Sequence, residues 1–168
     1  MQITTIFEED TPRNIALAEV AIMEVMDDIP DYYKKLVKLD QVIITDYSCD
    51  TFEKKILVDN FSGTFIVIYG FKKETWITDI KFEFASLYAR LFLSRNPTFK
   101  KIMLEQAKVL EEGLVGGEED FSLDEVFSHA FAVYVTNLHR EEVEESVVSF
   151  FQRVDQQLKF GHFSSTRV

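Results

Sequence analysis

The chain has 168 residues, of which 46% are hydrophobic and 14% aromatic, so it is long enough to bury one substantial core. Its formal net charge of -11 argues against a protein that binds nucleic-acid phosphates, because such proteins cluster lysine and arginine on one surface. A single cysteine, Cys49, excludes an internal disulfide and a cysteine-only zinc site and is compatible with a reducing compartment.

The N-terminal residues do not have the pattern of a targeting segment. Met1 is soon followed by the acids Glu8, Glu9 and Asp10, whereas a signal peptide is basic and then apolar. No apolar run approaches the roughly 18 residues that suggest a membrane span. We therefore expect no membrane partner and a location in the cytoplasm or in a virion. We also expect one domain over residues 1–160 and a flexible tail at 161–168.

The first third of the sequence predicts a strand and two helices. Residues 1–7 fit a short strand, and Thr11 and Pro12 are suited to a helix N-cap and first helical position. Apolar residues then recur at helical spacing and predict an inward face. That face consists of Ile15, Ala18, Ile22 and Met26. Pro30 opens a short second helix.

The middle of the chain has the residue pattern of strands. Residues 41–46, 52–58 and 64–69 are rich in β-branched and aromatic side chains, and residues 59–63 have the composition of a hairpin loop. Because helical segments flank these strands on both sides, we expect an α+β fold. It should contain a small three- to four-stranded sheet with several packed helices.

The second half predicts helices. Residues 74–95 are apolar on nearly all sides, with Trp76 and Phe82 among the aromatic residues, which is typical of a central, buried helix. Asn96 is expected to cap a helix that continues to about residue 112. Ser122 and Glu125 match a capping box for a helix that ends near residue 137. A last helix is expected to start near residue 140.

Acidic residues cluster in two places that are candidates for contact with a partner. One is the glycine-containing loop at 113–120, and the other is the start of the last helix. Such surfaces usually serve only solubility, but they also fit a basic protein partner. The candidate residues are Glu118, Glu119, Asp120, Glu141, Glu142, Glu144 and Glu145.

Residues 81–88 have the pattern of a metallopeptidase helix whose metal ligands are replaced. A zinc peptidase helix reads His-Glu-x-x-His, with two imidazoles on one face and the glutamate as general base. Here the two histidine positions hold Phe82 and Ser86, and only the glutamate, Glu83, is kept. Taken alone, a glutamate in an apolar helix is a weak signal.

A second motif follows about forty residues later, where residues 125–131 read Glu-Val-Phe-Ser-His-Ala-Phe. Together the two motifs resemble the catalytic domain of the anthrax lethal factor-like zinc metallopeptidases, within the zincin group, over about residues 30–138. In that family a His-Glu-Phe-Gly-His helix precedes a helix with Glu-Phe-Phe-Ala-Glu-Ala-Phe, whose first glutamate is the third zinc ligand. The resemblance implies a zincin-like fold.

The resemblance also assigns positions. Glu83 lies where the family has its general base, and Glu125 lies where it has the third zinc ligand, while His129 replaces the second glutamate of that motif. Phe82 and Ser86 replace the two histidines. A family tyrosine that assists the reaction has no tyrosine counterpart in residues 113–124.

These departures predict a metal-free, degenerate site and no cofactor, because a phenyl ring has no lone pair and a serine hydroxyl is a poor zinc ligand. We therefore expect a pseudo-metallopeptidase, not an enzyme, that binds a protein partner and no nucleic acid. Three alternatives remain open. Glu83 and Glu125, with His129 nearby, could serve a divergent metal-dependent hydrolase. The chain could be a structural subunit of a larger assembly, for example a viral one, or an acidic inhibitor of a nucleic-acid-binding protein.

Overall fold

The computed structural model describes residues 1–8, 10–47, 56–59, 63–72, 74–106, 123–142 and 145–159. In these ranges the chain forms four strands, six α-helices and a short 3-10 helix at Arg140–Glu142. The strands are β1 (Gln2–Ile6), β2 (Gln41–Thr45), β3 (Ile56–Asp59) and β4 (Gly63–Ile68). The helices are α1 (Ile15–Asp28), α2 (Asp31–Leu36), α3 (Ile77–Arg95), α4 (Pro97–Gln106), α5 (Leu123–Thr136) and α6 (Glu145–Lys159).

The four strands form one sheet in the order β1, β2, β4, β3. The first three run parallel, with Thr4 opposite Ile43 and Ile43 opposite Val67, and β3 pairs antiparallel to β4 at the edge. Parallel strands need crossover connections, which α1 and α2 supply between β1 and β2. The expected mixture of helices with a small three- to four-stranded sheet is confirmed.

One face of the sheet packs against the helices. Val42 and Ile44 of β2 are fully buried, as is Ile66 of β4, and all belong to the hydrophobic core that includes α1 and α3. Residues of a strand alternate between the two faces of a sheet, so the pairing of Val42 with Ile66 puts both on the core side. This face of the sheet therefore packs against α3.

Aromatic rings fill the core among the helices. The fully buried ring of Tyr33 on α2 meets Phe92 of α3 edge to face at 5.0 Å and Phe131 of α5 at 5.3 Å. Phe151 of α6 packs on Phe127 of α5 at 5.5 Å. Aromatic side chains bury large areas and favour such edge-to-face geometry, so four helices are held by one connected set of rings.

The central position expected for α3 is confirmed, with Phe84, Leu91 and six neighbours on the helix at most 1% exposed. Its start differs from the prediction. Lys72 and Thr75 form a hydrogen-bonded turn, and the helix begins only at Ile77. Trp76 was expected to join the buried face but is 75% exposed, because its extended backbone precedes the first helical turn.

Two other helix starts and one helix cap differ from the prediction, whereas α4 begins at Pro97 as predicted. Pro12 accepts a hydrogen bond from Ile15 in a turn, so α1 starts at Ile15 and Asn14 takes the N-cap position expected for Thr11. The Asn96 side chain does not cap α4: its amide donates to the Phe92 carbonyl at 2.9 Å and closes the end of α3. The last helix begins at Glu145, after the 3-10 helix.

Several predicted features lie outside the described residues. They include Cys49, the hairpin loop at 60–62, the acidic loop at 113–120, Ser122 of the capping box and the tail at 161–168. Within the described ranges, none of the helices combines the length and the apolar character needed to cross a membrane.

Candidate functional site between α3 and α5

The predicted motif positions lie on the N-terminal half of α3, against α5. Phe82, Glu83 and Ser86 are all half-buried, between the first turn of the helix, where Thr78 and Asp79 are exposed, and its mostly buried C-terminal half. Phe82 and Ser86 are four residues apart, so they share one side of α3. Helix α3 makes its most extensive helix contact with α5, the element that carries the second motif.

Phe82 is in contact with two histidine rings. Its centroid lies 5.1 Å from that of His129 on α5 and 5.0 Å from that of His139, which follows α5. Both contacts are edge to face, with interplanar angles of 68° and 81°. The structure thus brings together Phe82 and His129, two positions of the separate motifs, and adds His139 to them.

His139 reaches Phe82 because the chain reverses direction after α5. Asn137 has φ 58° and His139 has φ 53°, a backbone conformation that is uncommon outside glycine. The Asn137 amide donates to the Val133 carbonyl at 2.8 Å, and the Thr136 hydroxyl accepts from the Leu138 amide at 3.3 Å. These bonds fix the turn, and the exposed His139 lies against Phe82 of α3.

Sequence reasoning missed the role of His139. One signal was available, since asparagine tolerates the left-handed conformation better than most residues and often ends a helix. Asn137 therefore indicates a chain reversal that brings the next residues back along α5. The contact of His139 with the Phe82 ring could not be predicted, because residue spacing in the sequence carries no information on contacts between α3 and a turn that follows another helix.

The two carboxylates of the motifs are half-buried, and neither is free of interactions. The start of α5 is anchored by Asp124, which pairs with Lys100 of α4 at 2.8 Å, while the Asp124 carbonyl accepts from the fully buried Ser128 hydroxyl at 2.6 Å. The pair of Asp124 with Lys100 therefore joins α4 to the first turn of α5, where Glu125 lies.

The residues at this site do not fit the zinc centre that the resemblance implies. A phenyl ring occupies one ligand position and a hydroxyl another, and neither is a ligand that zinc selects. Among the described residues, no three histidine, cysteine, aspartate or glutamate side chains are grouped in a way that could hold a metal ion.

The acidic candidates for partner contact are only partly described. Glu141 and Glu145 are exposed, whereas Glu142 is described only by its place in the 3-10 helix. Glu118, Glu119, Asp120 and Glu144 lie outside the described residues. Glu141 is near the ring cluster in sequence, since it follows His139 by two residues.

Comparison with known proteins gives no relative: no family model, no curated protein and no solved structure matches this chain.

Proposed function

We propose that the chain is a non-catalytic, zincin-like protein that acts by binding a protein partner. The observation that carries the proposal is the contact of Phe82 with His129 and His139, at 5.1 Å and 5.0 Å between ring centroids. A residue aligned with a zinc-binding histidine is here a packing residue between α3 and the end of α5. This supports a former metal site that now contributes to the stability of the fold.

The chemistry of the site agrees with a loss of peptidase activity. In a zincin the metal lowers the pKa of bound water, and the glutamate of the motif takes up its proton. Glu83 alone does not provide this activation, because water without a metal is a weak nucleophile. We therefore assign Glu83, Ser86 and Glu125 as vestigial positions, with His129 adjacent to them, and propose no cofactor.

The proposed partner is a basic protein. The chain carries a net charge of -11, and Glu141 and Glu145 are exposed close to the turn that covers Phe82. Opposite charges accelerate association and favour the correct partner. We propose no direct binding of nucleic acid, and a location in the cytoplasm or a virion.

The metal part of the proposal is tested with Phe82→His. Zinc lies about 2.0–2.1 Å from each imidazole nitrogen, so two rings on one tetrahedral ion have centroids about 5 Å apart. The observed spacing of Phe82 from His129 and His139 matches this value. Wild-type protein purified without chelator should contain no stoichiometric zinc, and the Phe82→His variant should bind about one equivalent by elemental analysis.

Two further variants make the result specific. Phe82→Leu removes the ring without adding a ligand and should stay metal-free, and adding His129→Ala to Phe82→His should lower the affinity for zinc. A full equivalent of zinc in the wild-type protein would contradict the proposal that the chain is a metal-free pseudoenzyme. A folded Phe82→His variant that binds no more zinc than Phe82→Leu would show that the positions do not converge as ligands.

The partner part is tested by affinity capture from the source organism. The immobilised wild-type chain should retain a basic protein, and the double variant Glu141→Lys with Glu145→Lys should lose it. The matched control is Asp27→Lys with Asp28→Lys, which makes the same change in charge on two exposed residues of α1 and should retain the protein. Capture of no protein, or equal loss by both variants, would contradict the proposed partner surface.

A further inference from the structure

A crevice lies at the carboxyl ends of β1 and β2, away from the α3 and α5 site. It has a volume of about 840 Å³ and is bounded by described residues that follow β1 and by Phe71, Lys72 and Glu74. Pockets that hold small molecules or side chains have volumes of roughly 300–1,000 Å³, so the crevice is large enough for one or two long side chains.

The walls of the crevice are held in place by contacts within the chain. Both carboxylate oxygens of Asp46 accept from the Glu8 amide, at 3.1 Å and 3.2 Å, which ties the end of β1 to the end of β2. The Phe71 amide donates to the Thr45 carbonyl at 2.9 Å. The fully buried Phe71 ring packs edge to face on Phe7 at 6.0 Å and holds it in place, so that the half-buried ring of Phe7 forms the aromatic part of the lining.

The charges around the crevice are predominantly negative. Among the residues that the structure describes, four acidic residues, Glu8, Asp10, Asp46 and Glu74, line the crevice against two basic residues, Arg13 and Lys72, an excess of two negative charges. A cationic group inside the crevice would meet carboxylates beside the half-buried ring of Phe7. That combination favours a guanidinium, which pairs with carboxylates through two hydrogen bonds and also stacks on aromatic rings.

Two exposed aromatic residues flank the crevice in sequence. Trp76 is 75% exposed and follows the lining residue Glu74 by two positions, and Tyr47 is 46% exposed and adjoins Asp46. Two residues span at most about 7 Å of chain, so Trp76 is close to the rim. Tryptophan, tyrosine and arginine are the residues that contribute most to protein interfaces.

We infer that this crevice binds an arginine-containing segment of a basic protein. The arginine side chain enters between the carboxylates of Asp10 and Glu74 and lies along Phe7, and the adjoining residues of the segment cover Trp76. The inference rests on the proposed function only in that the ligand is a protein segment. Its site is distinct from the motif positions of α3 and α5, and zinc binding by Phe82→His does not depend on it.

Trp76 is the single tryptophan of the chain, so its fluorescence reports directly on this site. The probe is a short peptide of alternating arginine and glycine, titrated into the wild-type protein. We expect saturable binding with a shift of the tryptophan emission to shorter wavelength. The same peptide with lysine in place of arginine should bind more weakly, because lysine lacks the planar fork of the guanidinium. A glutamate version should not bind.

A pair of charge-matched variants distinguishes the crevice from general attraction to an acidic protein. Asp10→Asn with Glu74→Gln should weaken binding of the arginine peptide about fivefold, since exposed ion pairs contribute modestly. Asp27→Asn with Asp28→Asn removes the same charge about 20 Å away, at the far end of α1, and should leave the affinity unchanged. No emission shift with the arginine peptide, or the same loss in both variants, would overturn the inference.

Discussion

Asp155 is a polar anchor within a mostly aromatic set of contacts. One carboxylate oxygen accepts from the Tyr33 hydroxyl at 2.9 Å and the other accepts from Tyr134 at 2.7 Å. Burial, and then the charge of Asp155, raise the pKa of Tyr33 well above its ordinary value, so this hydroxyl remains a donor. The two bonds satisfy polar groups that would otherwise be costly to bury.

Replacing this carboxylate should therefore be costly. We expect Asp155→Asn to lower the free energy of unfolding by about 1.5–3 kcal/mol, the range for hydrogen bonds to a charged group. The amide offers a single acceptor oxygen, so one tyrosine hydroxyl then faces an amino group instead of an acceptor. Urea unfolding at neutral pH, followed by circular dichroism, measures the change.

Tyr134→Phe provides the matched comparison. It removes one of the two donors but leaves the fully buried Tyr33 paired with Asp155, so about 1 kcal/mol should be lost. An Asp155→Asn variant as stable as the wild-type protein, or less affected than Tyr134→Phe, would show that the carboxylate does not anchor the two hydroxyls.

At the scale of elements, the parts with a strong hydrophobic period could be predicted from the sequence. The inward face of α1 contains Ala18 and Ile22 as expected, and both are fully buried. The strands at Gln41–Thr45 and Gly63–Ile68 differ from their predicted bounds by a single residue at one or both ends. The hydrophobic period is a pattern of many residues, so a wrong burial assignment at one position does not change the predicted element.

The ends of the elements were less predictable, because a cap depends on which of several groups a side chain meets. Asn96 lies between two helices and has residue-type preferences for both roles, and its amide bonds the end of α3 instead of the start of α4. Thr11 and Pro12 fit a helix start by type, yet the turn to Ile15 comes first. Such choices differ by about 1 kcal/mol, which tertiary contacts readily exceed.

The candidate site was predictable in outline only. The motif on α3 and the motif on α5 were expected to converge, and the contact of Phe82 with His129 is consistent with that expectation. The contact with His139 depends on a turn with positive φ at Asn137, and the crevice depends on residues from three separate segments. Neither has a local pattern in the sequence, because both arise only when distant parts of the chain pack together.

At the scale of the whole molecule, buried tyrosines make the fold sensitive to alkaline pH. Burial raises the pKa of the Tyr88 hydroxyl, and burial with the charge of Asp155 raises the pKa of Tyr33. In the unfolded chain both hydroxyls titrate near pH 10. Above that pH the unfolded chain loses protons that the folded chain keeps, so the folded state binds more protons and becomes less stable as pH rises.

The expected loss is about 1.4 kcal/mol per pH unit for each such tyrosine above about pH 10, with no contribution from them below it. Urea unfolding midpoints between about pH 8 and pH 11 measure this loss.

Tyr88→Phe is the decisive variant. Among the described residues its hydroxyl has no hydrogen-bond partner, so the variant should match or exceed wild-type stability at neutral pH and lose one tyrosine's share of the alkaline slope. An alkaline slope that is the same in wild type and Tyr88→Phe would mean that this hydroxyl ionises in the folded chain, and that its surroundings are wetter than its burial implies.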